Sequence, residues 1–157
     1  YAATGFIGEI GVFSTGVGTT RPFRYVLAPW IDGEMLAQRL ERHRLPGVRF
    51  ITASEKPYYG LFSQRKATGI ELVITDRSTF DPFLAGMAIL KSLYELYPDR
   101  IPLSNPAAAE AIDTLLGSQK IRQNIISSRP LMEIWSSLQA DIAAFNQKRR
   151  EFMIYPE

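Results

Sequence analysis

The 157-residue chain contains no cysteine and a single histidine. The first absence excludes disulfides, thiolate catalysis and zinc sites of the cysteine type. It leaves the compartment open, since a cysteine-free chain is at home inside or outside a cell. The scarcity of histidine makes any catalytic triad or histidine-based metal site depend on His43 alone. That residue stands between Arg42 and Arg44 near a helix end, where it reads as a solvated cap complementing the helix dipole. Long apolar runs are missing as well. The greasiest segment, 83–96, is interrupted by Lys91, Ser92 and Glu95, so no membrane span is expected. Nor is there a block of one charge sign: eighteen basic against sixteen acidic side chains leave a net +2. The pI of about 9.0 therefore overstates the case for nucleic acid. Glu9, Asp32, Asp76 and Asp81 are scattered without ligand-type spacing, so neither a metal nor another cofactor is expected.

What is present is an ordinary globular composition, 46% apolar and 22% charged. A chain of this size buries about 68–70% of its unfolded surface and needs no staples. With no repeat and no linker-like stretch, residues 1–157 read as one domain. The first residue is Tyr1 and no leader-type segment follows it, which reads as a processed chain or a piece of something longer.

Residues 1–22 hold five of the eleven glycines, interleaved with Ile7, Ile10, Val12 and Phe13. This pattern has no helical period and predicts short strands and tight turns. Phe23 to Leu27 is a strand candidate closed by Pro29. Asp32 is a helix N-cap, and that helix is expected to stop near Leu45, ahead of Pro46-Gly47. Strands are predicted at Val48–Ala53 and Ile70–Thr75, with a long, mobile or functional connection over Ser54–Thr68. Asp81-Pro82 and Asn105-Pro106 are matching helix starts, the first ending at Pro98 and the second before Gly117. A short helix is expected around Lys120–Ile126. The last helix opens at Pro130 and carries Leu131, Ile134, Trp135, Leu138, Ile142 and Phe145 as one stripe. The fold class is α+β: a small mixed or antiparallel sheet with helices on one face, and a helical C-terminal third.

The turn Ser14-Thr15-Gly16-Val17-Gly18-Thr19-Thr20 invites a phosphate reading, but it lacks the Gly-Lys-Ser/Thr ending and no helix begins behind it. Two readings remain, a tight turn between strands or a loop whose amides and hydroxyls line a pocket for a polar, uncharged ligand. Glu9 is a charge in an apolar, glycine-rich stretch, which marks either a pocket-facing group or the solvent side of a strand. Tyr58, Tyr59 and Phe62 lie among Lys56, Arg65 and Lys66, a mixture that suits sugar stacking, single-stranded nucleic acid, or a loop pinned by its own rings. Trp30 and Trp135 read mainly as core.

Two blocks of the sequence, Gly16-Val17-Gly18-Thr19-Thr20-Arg21-Pro22-Phe23 and Ala28-Pro29-Trp30-Ile31-Asp32, resemble a pattern of the NamZ/YbbC-like family. Later segments agree in order: Leu45 to Phe50, Thr75-Asp76-Arg77 with Phe80, Tyr97-Pro98, and Trp135, Leu138, Phe145 and Arg149 ahead of Tyr155. The first two blocks are specific as a pair; the later ones are individually weak. Characterised members are exo-acting β-N-acetylmuramidases of peptidoglycan fragments, built from a larger Rossmann-like N-terminal domain and a smaller C-terminal one. The resemblance implies that this chain is the C-terminal one, with the acid-base glutamates in the other domain and no catalytic residue here. It also implies a secreted or periplasmic parent protein. Val17 departs from the pattern, where an arginine is common, as does Thr15, where an acidic residue is frequent; if those positions touch the sugar, the substrate differs. Combined with the residue reading, the resemblance makes Glu9, Ser14, Thr15, Gly16, Gly18, Thr19 and Thr20 a carbohydrate-facing wall turned towards the N-terminal domain, with Trp30, Tyr58 and Tyr59 nearby. The alternatives are a non-catalytic module that binds cell-wall glycan or single-stranded nucleic acid, and a purely structural domain.

Overall fold

The computed structural model describes residues 1–154; Tyr155, the last of the residues that carry the family resemblance, lies outside them. Its scaffold is a three-stranded antiparallel sheet of β1 (Tyr25–Ala28), β2 (Val48–Glu55) and β3 (Ala67–Ile74), in the order β1-β3-β2. The helices are α1 (Gly5–Gly8), α2 (Gly33–Glu41), α3 (Pro82–Leu96), α4 (Pro106–Leu116), α5 (Gln119–Ile126) and α6 (Leu131–Arg149). The α+β architecture and the helical C-terminal third agree with the sequence reading.

The helix starts follow from their caps. Asp32 accepts hydrogen bonds from the amides of Glu34 and Met35, Asp81 from Leu84, Asn105 from Ala107 and Ser118 from Lys120. Each cap satisfies an amide that the helix itself leaves orphaned. Pro82 and Pro106 occupy the first turn, where no amide proton is missed. Gly117 ends α4 in the left-handed conformation at φ +74°.

Antiparallel register sorts the strand side chains into two faces. Val26, Ile70, Leu72, Phe50 and Val48 face α2 and α3 and are buried in the main core, with Leu36, Leu40, Met87, Ile89, Leu90 and Leu93. The opposite face carries Tyr25, Leu27 and Ala67, against which Ala53 and Phe62 pack. Among the described residues, the Phe62 loop rather than a helix packs on that second face.

Three details differ from the sequence reading. Gly5–Gly8 forms a single helical turn, not a strand. Its glycines permit close packing: a Cβ on Gly8 would come within 2.6 Å of the Thr15 methyl. Only Ser14 bridges to a strand, exchanging backbone hydrogen bonds with Leu27 along the outer edge of β1. Second, α2 ends at Glu41, four residues before Leu45, and Arg44 turns the chain at φ +50°. Third, the α6 stripe divides. Leu131 and Ile134 are buried and Trp135 and Leu138 pack on the core, but Phe145 is 66% exposed.

Candidate functional site

The glycine-rich segment is held to the sheet by a charged clamp. Glu71, in the central strand and only 6% exposed, receives both oxygens' worth of hydrogen bonding from one guanidinium nitrogen of Arg21, at 2.8 and 3.0 Å. Arg24 reaches the same carboxylate at 3.0 Å. A carboxylate buried on a sheet needs such partners, because unpaired it would cost several kcal/mol. The residue after Arg24, Tyr25, donates its hydroxyl proton to Glu55 at 3.0 Å. Burial pushes the Tyr25 phenol above its ordinary pKa, and the bond to Glu55 adds to this, so it remains a donor.

With its base fixed, the loop folds on itself. The Gly16 amide donates to the Ser14 hydroxyl, the Thr19 hydroxyl donates to the Gly16 carbonyl at 2.7 Å, and the Arg21 amide donates back to Thr19. Gly16 and Gly18 have φ of +87° and +86°, which an L side chain adopts only under strain. The tip meets the aromatic loop: the Tyr58 amide donates to the Gly18 carbonyl at 2.8 Å. A Cβ on Gly18 would lie 2.1 Å from the Tyr59 carbonyl oxygen.

Between α1, the glycine-rich loop and the Tyr58–Phe62 loop lies a cleft of about 350 Å³. Glu9, Ser14, Thr15, Val17, Phe23 and Leu61 line it, over a floor of α1 glycines. Glu9 is exposed, and neither its carboxylate nor the Thr15 hydroxyl has a hydrogen-bond or ion-pair partner among the described residues. One free acceptor, two hydroxyls and several apolar side chains make a surface suited to a small polar ligand with an uncharged body.

Glu9, Ser14 and Thr15 thus share one cleft. Gly16, Gly18 and Thr19 shape the loop behind it, and Thr20 is exposed on the same turn. Tyr58 and Tyr59 belong to the adjoining loop and present 82% and 66% of their surface to solvent. Trp30 stands apart. It packs edge-on against Tyr97 at 5.2 Å, where the Tyr97 hydroxyl accepts the Asp32 amide proton, and it does not line the cleft. His43 is half-buried between α2 and α3, 3.4 Å from the Ser92 hydroxyl, rather than solvated.

Sequence reasoning missed Glu71 and Phe23. Strand alternation put Glu71 on the non-helical face, and the two arginines at 21 and 24 were the available hint of a partner. Phe23, at φ +65°, is a bulky residue in the left-handed region and forms part of the cleft wall. No local pattern signals that conformation.

The chain is 31% identical over 155 residues to the peptidoglycan beta-N-acetylmuramidase NamZ of Bacillus subtilis (strain 168), a match covering 99% of this chain and 36% of that protein. A crystal structure of a DUF1343 family protein from Bacteroides fragilis superposes with a TM-score of 0.80 at 28% identity, over 99% of this chain and 41% of the other. The chain therefore spans well under half the length of either. Residues 1–155 match the family described as Exo-beta-N-acetylmuramidase NamZ, C-terminal, and the chain belongs to that family.

Proposed function

We propose that this chain is the C-terminal domain of a two-domain exo-β-N-acetylmuramidase that acts on peptidoglycan fragments outside the cytoplasm. In this reading the domain walls a carbohydrate cleft towards a Rossmann-like N-terminal domain, and the catalytic groups belong to that neighbour. The observation that carries the reading is the cleft itself: Glu9 and Thr15 offer hydrogen-bonding groups with no partner among the described residues, beside the apolar Val17 and Leu61. Sugar hydroxyls would engage the former and the ring's C–H faces the latter. The cleft holds one carboxylate, whereas glycoside hydrolysis ordinarily needs two flanking the scissile bond. Val17, without a charge, and Thr15, without an acid, leave Glu9 as the one charged side chain of this wall among the described residues.

The test is turnover of a chromogenic β-N-acetylmuramic acid glycoside by the chain alone and by the chain joined to its N-terminal partner domain. Turnover only by the joined protein is expected. Robust hydrolysis by the chain alone would place catalytic groups within these residues.

A second reading rests on Tyr58 and Tyr59, whose exposed rings share a loop with Lys56, Arg65 and Lys66 and offer faces for stacking. It makes the domain a non-catalytic binding module for cell-wall glycan. Salt titration separates glycan from nucleic acid there, because phosphate binding weakens steeply with ionic strength and neutral-sugar binding does not.

A further inference from the structure

A second cavity, of about 460 Å³, opens on the other side of Phe23. Tyr1, Phe23, Phe80 and Leu72 form apolar walls, and Arg24 and Arg77 supply the charge. None of the lining residues is acidic. The neighbouring carboxylates are engaged elsewhere: Asp76 with Ser78 and Thr79, and Asp81 with the Leu84 amide at the start of α3. Arg77 has no hydrogen-bond or ion-pair partner among the described residues. Arg24 shares Glu71 with Arg21, and Arg21 already bonds both carboxylate oxygens. One carboxylate against two guanidiniums leaves a surplus positive charge there, and Arg77 adds a second.

We propose that this cavity binds the carboxylate of a small organic anion whose uncharged body packs between Phe23 and Phe80. The enclosed volume falls in the range of small-ligand sites. Planar guanidiniums suit carboxylates, which they can hold through paired hydrogen bonds. A polyanion fits the cavity less well. Arg24 and Arg77 are the only basic side chains among the described residues that line this cavity, and the bases of the Tyr58 loop, Lys56, Arg65 and Lys66, do not. Phe23 is a wall of both cavities, so its position in the left-handed region, locked edge-on to Tyr1 at 4.8 Å, sets the partition between them. The inference does not depend on what the neighbouring cleft binds.

The test uses the 157-residue chain, ¹⁵N-labelled and titrated with 3-phenylpropionate, with the neutral 3-phenylpropionamide, and with inorganic phosphate. The acid should give saturable amide shifts at Phe23, Arg24, Leu72, Arg77 and Phe80. The amide should bind about tenfold more weakly, the factor that a charged hydrogen bond supplies. Arg77→Gln should weaken the acid by a similar factor without changing the spectrum elsewhere, because Arg77 holds no other group in place. Arg24→Gln is the less clean variant, since it also loosens Glu71. Equal binding of acid and amide, full affinity in R77Q, shifts confined to other residues, or phosphate binding as tightly as the acid would each overturn the proposal.

Discussion

Gly18 carries two constraints at once: a backbone at φ +86° and the Tyr59 carbonyl where a side chain would begin. Gly18→Ala should therefore do more than strain one torsion, because the Tyr58–Phe62 loop must move away. The expected loss is about 2–3 kcal/mol, read as a lower urea midpoint with an unchanged slope. Glu71 is constrained from the opposite direction, by charge. Glu71→Ala leaves Arg21 and Arg24 without an anion, but both guanidiniums are about half exposed. Water can solvate them, so the cost should be about 1–2 kcal/mol, below that of breaking a fully buried pair. His43 sets a pH dependence. Burial lowers its pKa below the ordinary 6.5; Glu95 opposes this, and Lys91 and Arg39 reinforce it. The unfolded chain takes up the proton near that ordinary value, and the folded chain only at lower pH. Stability is thus untouched by this group above about pH 6.5 and falls as pH drops from there to the folded pKa. Urea midpoints measured down to about pH 5 should decline, and His43→Gln should flatten the decline. Asp76 and Asp113, both held below the usual carboxylate range by hydrogen bonds to Ser78 and Arg122, add nothing in that window, since their contribution is lost only at still lower pH.

Among the elements, α6 separates what a periodic pattern can say from what it cannot. Leu131, Ile134, Trp135, Leu138, Ile142 and Phe145 recur on one face, and the spacing correctly places a helix over them. Whether the whole face finds a partner is a tertiary matter. α3 offers apolar surface only to the first half, and Phe145 is left outside the core. Ile134→Ala should cost about 2–4 kcal/mol in a thermal or urea melt, while Phe145→Ser should change stability by less than about 0.5 kcal/mol. Capped starts such as Asp32, Asp81 and Asn105 were legible because the cap acts within three residues of itself. The Gly5–Gly8 turn was not legible. Its helical conformation is set by packing against Thr15, Tyr1 and the helices behind it, not by any periodicity of its own.

For the whole molecule, the sheet divides structure from the candidate site. Helices bury one face, and the other is covered by two loops joined through the Tyr58–Gly18 hydrogen bond. The sequence made Glu9, Ser14 and Thr15 visible as polar groups in an apolar, glycine-rich run, and the fold brings them into one cleft. The residue reading of Trp30 as core holds, since it packs on Tyr97 through a contact 67 residues away; its placement near the cleft, which came with the family resemblance, does not. The sequence could not reveal Arg77 beside Arg24, which only the return of β3 to the edge of β1 brings together. In the proposed function the cleft holds a sugar and does not perform the chemistry. Steady-state kinetics of Glu9→Gln and Thr15→Val, made in the chain joined to its N-terminal domain, separate these two roles. Loss of hydrogen bonds made equally in ground and transition states predicts KM raised about tenfold with kcat within about twofold. An unchanged KM in both variants, or a collapse of kcat in Glu9→Gln, would contradict it.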